Sequence, residues 1–399
     1  MMNQRETALE ILYKTIRDDS YSNLLMRKEL DKLPRIQRAF TTNLVNGVLR
    51  KYEFLSYQFV DQARQDTSLR LRLILCMALF ERFYLKEKDY VVNNEYVELA
   101  ENRHEKAFVN ALLHRIKNLK EAKEPWIRNN LPEWIYRLLS SQYDSETLEK
   151  ILLLYQKTPS VFYRLNKKKA SMQDLDDLNI RIMNEDIFTA EENLLNTREY
   201  KEGDFYVQDI NSASLYRHLD LQADHSLLDV CSAPGSKLFN CLDIVKAENC
   251  YANDLHANRV KLIRKMAEKL GYEGVHYFNA DGRELKNILD FRFDRILLDA
   301  PCSGLGIIGR KPDLKFHIKP ESLDELERLQ LELLEGVKDL LKTDGILLYS
   351  TCTLNRKEND RMVKKFLKKQ KMYQLMEEET IINDNGDAFY YAKIKRVAE

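Results

Sequence analysis

The stretch Leu227-Leu-Asp-Val-Cys-Ser-Ala-Pro-Gly-Ser-Lys237 decides the fold of this chain. Its apolar start predicts a short buried strand. The run of small residues that follows predicts a tight turn, in which the backbone approaches a ligand at the N-terminus of the next helix. The turn contains one glycine, Gly235, so it matches the GxGxxG fingerprint of dinucleotide-binding proteins poorly. Taken alone, the stretch is also compatible with a strand–helix turn that binds nothing.

Strands and helices alternate on the C-terminal side of this turn. Helical patterns lie around 236–246, 256–270 and 321–342, between most of the β-rich runs. This alternation implies parallel strands joined by crossovers, so the fold class is α/β, a doubly wound Rossmann-like sheet. The aromatic residues within Ala388–Lys395 indicate a last strand. The other predicted strands are Leu227–Val230, Cys250–Asp254, Val275–Ala280, Ile296–Asp299 and Ile346–Ser350.

The N-terminal part of the chain follows a helical rhythm. Apolar residues recur at helical spacing to about residue 120, where Gly47 and Pro34 are the only glycine and proline. We therefore predict an all-helical domain over 1–125. A linker and a small α+β subdomain are expected over 126–203, and the sheet domain over 204–399.

Composition indicates an ordinary soluble protein. Lys plus Arg and Asp plus Glu both number 63, so total charge neither argues for nor excludes a polyanionic partner. No apolar run approaches the roughly 20 residues that cross a bilayer, and the N-terminus does not read as a signal peptide. The six cysteines form no CxxC pair. We expect free thiols in a reducing cytoplasm, with no bound metal and no membrane contact.

Acidic residues follow two of the predicted strands. Asp254 lies 25 positions beyond Asp229, where an acidic residue is well placed to accept hydrogen bonds from both hydroxyls of a ribose. Asp281 could meet an adenine amino group. Each also has an ordinary interpretation, a helix N-cap for Asp254 and an Asp-Gly turn for Asp281.

Two further loops each place a cysteine directly after a strand. They are Leu298-Asp-Ala-Pro-Cys-Ser-Gly304 and Tyr349-Ser-Thr-Cys-Thr353. A single cysteine in such a position is usually a small buried hydrophobic residue. Two of them at the active ends of neighbouring strands favour a reactive thiolate instead. Spacing alone does not separate the roles of Cys302 and Cys352.

The motifs DVCSAPGSK, LLDAPCSGLG, KPDLKF and YSTCT, in that order, resemble the bacterial Sun/Fmu (RsmB-type) ribosomal RNA cytosine-C5 methyltransferases. The helical N-terminus, with KAFVNALLHRI near its end, is similar to the NusB-like RNA-binding domain of that family. The resemblance covers nearly the whole chain. It implies an enzyme that transfers a methyl group from S-adenosylmethionine to carbon 5 of one cytosine in 16S (small-subunit) ribosomal RNA. We expect it to act in the cytoplasm as a monomer.

The resemblance also implies roles for individual residues. Carbon 5 of cytosine is not nucleophilic enough to be methylated unaided, so Cys352 is expected to add to carbon 6 as the nucleophile. Cys302 would assist product release, and Asp299 would hydrogen-bond the base ring, which must be unstacked to reach the site. The residues expected to contact S-adenosylmethionine are Cys231, Ser232, Ala233, Pro234, Gly235, Ser236, Lys237, Asp254, Asp281 and Asp299.

The sequence departs from the family pattern at four positions. The family loop usually reads Cys-Ala-Ala-Pro-Gly-Gly-Lys, whereas Ser232 and Ser236 stand here. Both residues are small, but a positive φ at Ser236 would cost roughly 1 kcal/mol or more. Lys311 and Phe316 stand where the family more often has His and Trp.

Basic clusters give candidate RNA contacts. Arg164 and Lys167–Lys169 suit either phosphate binding or a solvated loop. The lysines between 361 and 371 fit the exposed face of a helix that covers the sheet. Arg310 and Lys311 follow the Cys302 loop and are expected near the active site.

Three other functions compete with this interpretation. A non-catalytic RNA-binding protein with a degenerate methyltransferase fold would not need intact Cys302, Cys352 and Asp299. An amino-nitrogen methyltransferase typically carries Asn/Asp-Pro-Pro-aromatic after the fourth strand, and the sequence here lacks the second proline and the aromatic residue. A NAD-dependent dehydrogenase is disfavoured by the missing GxGxxG.

Overall fold

The computed structural model describes residues 3–18, 20–63, 67–383 and 385–398. The chain forms two compact units. The first comprises Met1–Lys157 with Ile308–Lys319, and the second comprises Thr158–Ile307 with Pro320–Glu399. The α-helices, in chain order, are α1 (Gln4–Arg17), α2 (Ser22–Glu29), α3 (Arg35–Tyr57), α4 (Leu69–Phe83), α5 (Asp89–Glu98), α6 (Arg103–Arg115), α7 (Pro125–Arg128), α8 (Glu133–Ser140), α9 (Ser145–Gln156), α10 (Arg198–Glu202), α11 (Ile210–Ser214), α12 (Ser236–Cys241), α13 (Ala257–Leu270), α14 (Leu314–His317), α15 (Pro320–Val337) and α16 (Asp360–Lys369).

The strands of the described chain all lie in the second unit and form two sheets. The smaller sheet has the order β2-β3-β1-β4, and the larger has the order β10-β11-β9-β8-β5-β6-β7. The strands, in chain order, are β1 (Phe162–Leu165), β2 (Ile180–Ile182), β3 (Ile187–Ala190), β4 (Phe205–Val207), β5 (Leu227–Asp229), β6 (Cys250–Asn253), β7 (His276–Phe278), β8 (Phe293–Asp299), β9 (Leu341–Thr351), β10 (Tyr373–Ile381) and β11 (Phe389–Arg396).

The helical unit is built around α4. This helix is buried along almost its whole length, because leucines and other apolar residues occupy nearly all of its faces. The first helix, α1, begins with a capping box in which Asn3 accepts from the Arg5 and Glu6 backbone N–H groups. The all-helical N-terminal region predicted from the sequence is confirmed.

The segment Ile308–Lys319 belongs to the helical unit although its neighbours in sequence belong to the other. The ammonium group of Lys315 is buried there and pairs with the Glu53 carboxylate. Asp313 accepts from the backbone N–H of Ser22 at 2.8 Å, and Phe316 packs edge-on against Tyr52. The domain limits near 125 and 203 stay predictions, whereas the compact units divide near 157.

The larger sheet has the predicted doubly wound core. Strands β5 to β9 pair in parallel, in the order β9-β8-β5-β6-β7. β11 pairs antiparallel to β9, and β10 pairs antiparallel to β11. Helices cover the sheet, so the central strands carry consecutive apolar residues, such as Ile296–Leu298 of β8 and Ile346–Tyr349 of β9, rather than alternating ones. The edge strand β10 was not predicted from the sequence.

The basic cluster at 164–169 has a structural role in the small sheet. Arg164 is 1% exposed and pairs with Asp186 and Asp243, each at 2.8 Å. Lys168 donates to the carbonyl of Gly271, and Lys169 donates to the carbonyl of Lys269, at the C-terminal end of α13. Lys167 also pairs with Asp186, at 3.7 Å, so all four cations are engaged within the protein.

The basic stretch near the C-terminus forms α16. Met362, Val363 and Phe366 are buried, whereas the lysines of the helix face solvent. The prediction of an exposed basic face on a sheet-covering helix is confirmed.

Within the described ranges, no helix is both long and apolar enough to cross a membrane.

Candidate active site

The turn after β5 takes the conformation that its small residues predict. Gly235 adopts φ 103°, which a side-chain-bearing residue rarely does, and a cis peptide bond joins Ala233 to Pro234. Ser236 begins α12 with an ordinary helical backbone. The strain considered for a serine at this position therefore does not arise, because the glycine before it carries the positive φ.

Beneath this turn lie buried acceptors that the protein leaves unused. Asp229 is 1% exposed, and neither of its carboxylate oxygens has a hydrogen-bond partner among the described residues. The Ser232 hydroxyl is likewise buried and unpaired there. Burial raises the pKa of Asp229 to about 7. Buried polar atoms without hydrogen-bond partners are costly. A polar ligand bound at the head of the turn would supply the missing partners.

The two acidic residues predicted to meet a nucleoside stand at the ends of β6 and β7. Asp254 is buried, accepts from the Ala233 backbone N–H at 3.3 Å and pairs with Arg259 at 3.2 Å. Asp281 is held by two nitrogens of Arg283, whose hydrogen bonds lower the pKa of that carboxyl. Asp254 does not cap α13 in the usual way, since the N-cap position belongs to His256.

Lys237 and Asp299 form an ion pair between the first turn of α12 and the end of β8. The Lys237 ammonium lies 2.6 Å from one Asp299 oxygen, and Ser350 donates to the other at 2.8 Å. Burial opposes the charge of Lys237, but Asp299 outweighs it and raises the lysine pKa. The ammonium also lies 5.2 Å from the centre of the Phe389 ring. Both charged residues were predicted from the sequence as site residues, but their pairing was not.

The two cysteines that follow β8 and β9 meet. The sulfur atoms of Cys302 and Cys352 are 3.4 Å apart, within hydrogen-bond distance for sulfur, and both residues are partly exposed. The hydrogen bond to Cys352, followed by burial, raises the pKa of Cys302 well above its usual value. Cys302 is therefore a thiol that stays protonated next to the sulfur of Cys352.

A glycine allows the two cysteine loops to approach. The backbone N–H of Gly306 donates to the carbonyl of Cys352 at 2.9 Å. A Cβ at this position would lie 2.7 Å from that carbonyl oxygen and 2.3 Å from the carbonyl oxygen of Ala388. Both neighbours are backbone atoms, so any side chain here would push the loops apart.

The residues that join these loops were not predicted from the sequence. Ser303 and Thr353, each directly after a cysteine, share a hydrogen bond of 2.6 Å between their hydroxyls. Glu358, which is 0% exposed, accepts from Ser303. Adjacency to the cysteines could have singled out the two hydroxyls, but Glu358 lies in the polar run Asn355-Arg-Lys-Glu-Asn-Asp360, which carries no periodic signal.

The residues around the carboxyl ends of β5, β6 and β8 fit S-adenosylmethionine. Asp229 and Ser232 have unpaired buried oxygens, and the carboxylate of Asp254 is buried. These oxygens would serve as acceptors for the amino and hydroxyl groups of such a cofactor. Across the part of the chain that the structure describes, no cluster of three or more His, Cys, Asp or Glu residues is placed to hold a metal ion.

The sheet and its loops define the class of an S-adenosylmethionine-dependent methyltransferase. Residues 216–395 match the model of the 16S rRNA methyltransferase RsmB/F family, and residues 2–118 match that of the NusB family. The chain is 32% identical to the probable ribosomal RNA small subunit methyltransferase B of Bacillus subtilis (strain 168), over 91% of this chain and 88% of that protein. It therefore belongs to the RsmB/F family of rRNA methyltransferases, and the family resemblance inferred from the motifs is confirmed.

Another relative and two solved structures agree. The ribosomal RNA small subunit methyltransferase B of Pseudomonas putida (strain KT2440) is 27% identical over 100% of this chain and 99% of its own length. The crystal structure of PH0851 superposes with a TM-score of 0.80 at 19% identity, covering 99% of each chain. The structure of NSun6 from Pyrococcus horikoshii with SFG has a TM-score of 0.61 at 18% identity, over 67% of this chain and 99% of that one. These structures support the fold.

Proposed function

We propose that this rRNA methyltransferase acts on carbon 5 of a cytosine in 16S rRNA, through a covalent bond between Cys352 and carbon 6 of the base. The observation that carries the proposal is the 3.4 Å contact between the sulfurs of Cys302 and Cys352. Only a reaction that makes and breaks a covalent bond to sulfur gives two thiols at one site separate tasks. The enzyme would work as a monomer in the cytoplasm, where both thiols stay reduced.

The first step is the attack on the base. Cys352 loses its proton to solvent, and its thiolate is stabilised by the thiol hydrogen of Cys302 and by the positive charge of Lys237. Formation of the bond between Cys352 sulfur and carbon 6 moves the electron pair of the C5–C6 double bond toward carbon 5. Asp299, fixed by Lys237 and Ser350, is the acceptor for the amino group of the base.

The second step is methyl transfer. S-adenosylmethionine supplies a methyl group activated by a sulfonium centre, and the cofactor's own chemistry makes that carbon electrophilic. Carbon 5 forms the new C–C bond as the carbon–sulfur bond to the donor breaks. The turn 231–237 and Asp254 would hold the donor, and Asp281 would contact its adenine.

The third step is release. The proton on carbon 5 passes to water, the C5–C6 double bond re-forms, and the bond between carbon 6 and Cys352 breaks. Cys302 donates its thiol hydrogen to the departing thiolate, which stabilises the leaving group. Its raised pKa suits this role because the thiol stays protonated and can donate a hydrogen bond to that sulfur.

Two substitutions test the assignment. Cys352→Ala should abolish methylation while binding of S-adenosylmethionine persists, because the nucleophile is lost and the cofactor contacts are not. Cys302→Ala should accumulate a protein–RNA adduct that survives denaturation. The measurements are mass-spectrometric mapping of 5-methylcytosine in 16S rRNA and denaturing gels of the adduct. An adduct formed only by the Cys352→Ala variant would reverse the two roles, and cofactor binding without any methyl transfer by the unaltered protein would refute the proposal.

A further inference from the structure

A single buried carboxylate, that of Glu358, gathers four hydrogen bonds between β9 and α16. One oxygen accepts from the Ser303 hydroxyl at 2.6 Å and from the Asn355 amide at 3.0 Å. The other accepts from the Ser303 backbone N–H and from the Gln330 amide, both at 2.9 Å. Glu358 is 0% exposed, and all four of these donors are neutral groups.

These hydrogen bonds reach both cysteine loops. Ser303 follows Cys302 directly, and its hydroxyl also contacts that of Thr353, which follows Cys352. The backbone carbonyl of Glu358 accepts from the Tyr349 hydroxyl at 2.7 Å, three residues before Cys352. The side chain of one residue therefore fixes the first loop, while its backbone fixes the second.

Burying a carboxylate is costly unless hydrogen bonds compensate it, and four neutral donors do so for Glu358. Packing alone would be served by an apolar side chain of similar size. A carboxylate differs in offering two acceptor oxygens to four donors that converge from three segments. That property is required where separate loops must be held in one fixed geometry, since fully satisfied polar networks are rigid.

We propose that Glu358 is the positioning residue that holds Cys302 against Cys352 for product release. The inference rests on the proposed function, in which Cys302 assists the departure of the Cys352 thiolate. The charge of Glu358 also adds to the effects that raise the pKa of Cys302, after the hydrogen bond to Cys352 and burial. Its loss should therefore weaken the same step that loss of the Cys302 thiol blocks.

Glu358→Gln is the direct test, because the amide keeps the size of the side chain but replaces one acceptor by a donor. At least one of the four donors then faces another N–H group. Asp294→Asn is a matched control. Asp294 accepts from the backbone N–H and hydroxyl of Ser226, at 2.9 and 2.7 Å, as Glu358 does from Ser303. It lies at the opposite end of β8 and also pairs with Lys342 at 2.8 Å.

The full-length variants would be mixed with S-adenosylmethionine and with 16S rRNA isolated from cells that lack the gene. We expect Glu358→Gln to accumulate the denaturation-resistant adduct and to lose about tenfold or more in kcat, with KM for S-adenosylmethionine changed by no more than about twofold. Asp294→Asn should lower thermal stability without an adduct. A purely structural role for Glu358 would lower stability and leave no adduct.

Ser303→Ala is a second test in case the Glu358→Gln variant does not fold. It removes the hydroxyl bonds to Glu358 and Thr353 but leaves the backbone bond, so a smaller fraction of adduct should accumulate. If Cys302→Ala traps the adduct while neither Glu358→Gln nor Ser303→Ala does, this inference is wrong and the proposed function stands. If neither Cys302→Ala nor Cys352→Ala traps an adduct, the proposed function fails.

Discussion

Asp229 links the stability of the protein to pH. Its folded pKa of about 7 lies above the ordinary value of 3.8 because burial penalises the carboxylate. A group whose pKa is raised by folding binds its proton more tightly in the folded state. The stability that it contributes is present in full below about pH 4 and is lost as the pH rises through about 7.

Asp229→Asn should remove this dependence, because the amide has nearly the same shape and does not titrate. Between pH 5 and pH 8, the free energy of unfolding of the variant should rise by about 3 kcal/mol relative to that of the unaltered protein. Urea denaturation of both proteins without cofactor at the two pH values measures the difference. Parallel pH dependences would show that Asp229 does not titrate in this range.

At the residue scale, the sequence predicted the identity of the candidate site better than its geometry. Cys302 and Cys352 could be brought together in advance because the carboxyl ends of parallel neighbouring strands share one edge of a sheet. The pairing of Lys237 with Asp299 could not, since it depends on side-chain directions across 62 positions of sequence. Glu358 was missed for a similar reason, because a buried acid in a turn has no periodicity to reveal it.

Among the elements, prediction succeeded where burial is strong. The central strands are buried on both faces and appear in the sequence as apolar runs, so their positions were evident. β10 lies at the sheet edge, where only Tyr373 of its residues is buried, and carries three successive glutamates at Glu377–Glu379. Charged side chains protect such an edge from pairing with other chains, and the same charges hide the strand from sequence-based prediction.

The lysines near β1 act on helix ends rather than on a ligand. Lys169 donates to the carbonyl of Glu202, the last residue of α10, and to that of Lys269 in the last turn of α13. A cation at this place satisfies carbonyls that the helix leaves unpaired and interacts favourably with the helix dipole.

Lys169→Met should therefore lower the free energy of unfolding by about 0.5–1 kcal/mol. Affinity for 16S rRNA at fixed salt should not change, because the ammonium group of Lys169 is already hydrogen-bonded to these two carbonyls. Thermal denaturation followed by circular dichroism and a filter-binding assay give the two values. Lys261→Met, an exposed position within α13, is the control and should leave stability unchanged. A clear loss of RNA affinity for Lys169→Met would restore the interpretation of this cluster as a phosphate site.

At the scale of the whole molecule, the chain is less modular than its sequence suggests. Ile308–Lys319 leaves the sheet unit soon after Cys302 and forms part of the helical unit. Burial raises the pKa of Glu53 and lowers that of Lys315, so each charge is maintained there at a cost and depends on the other. The pattern of apolar residues could not reveal this excursion, because its anchors are polar.

Lys315→Met should destabilise the full-length protein by about 3–5 kcal/mol, since it leaves the buried Glu53 carboxylate without its cation. Combining it with Glu53→Gln should recover a large part of that loss, because no uncompensated charge remains. Urea denaturation of the two single variants and the double variant completes the cycle. If the effects of the two single substitutions simply added, the ion pair would not be the source of the destabilisation.

The excursion of Ile308–Lys319 also limits how this protein can be recombined. A protease that cut the chain near Lys157 would nick it without freeing an intact helical fragment, because part of that fragment is encoded beyond the cut. Exchange of the N-terminal region with that of a relative would likewise separate Glu53 from the lysine that neutralises it. A working chimaera would have to inherit both pieces together, so the two regions are constrained to change as one unit during evolution.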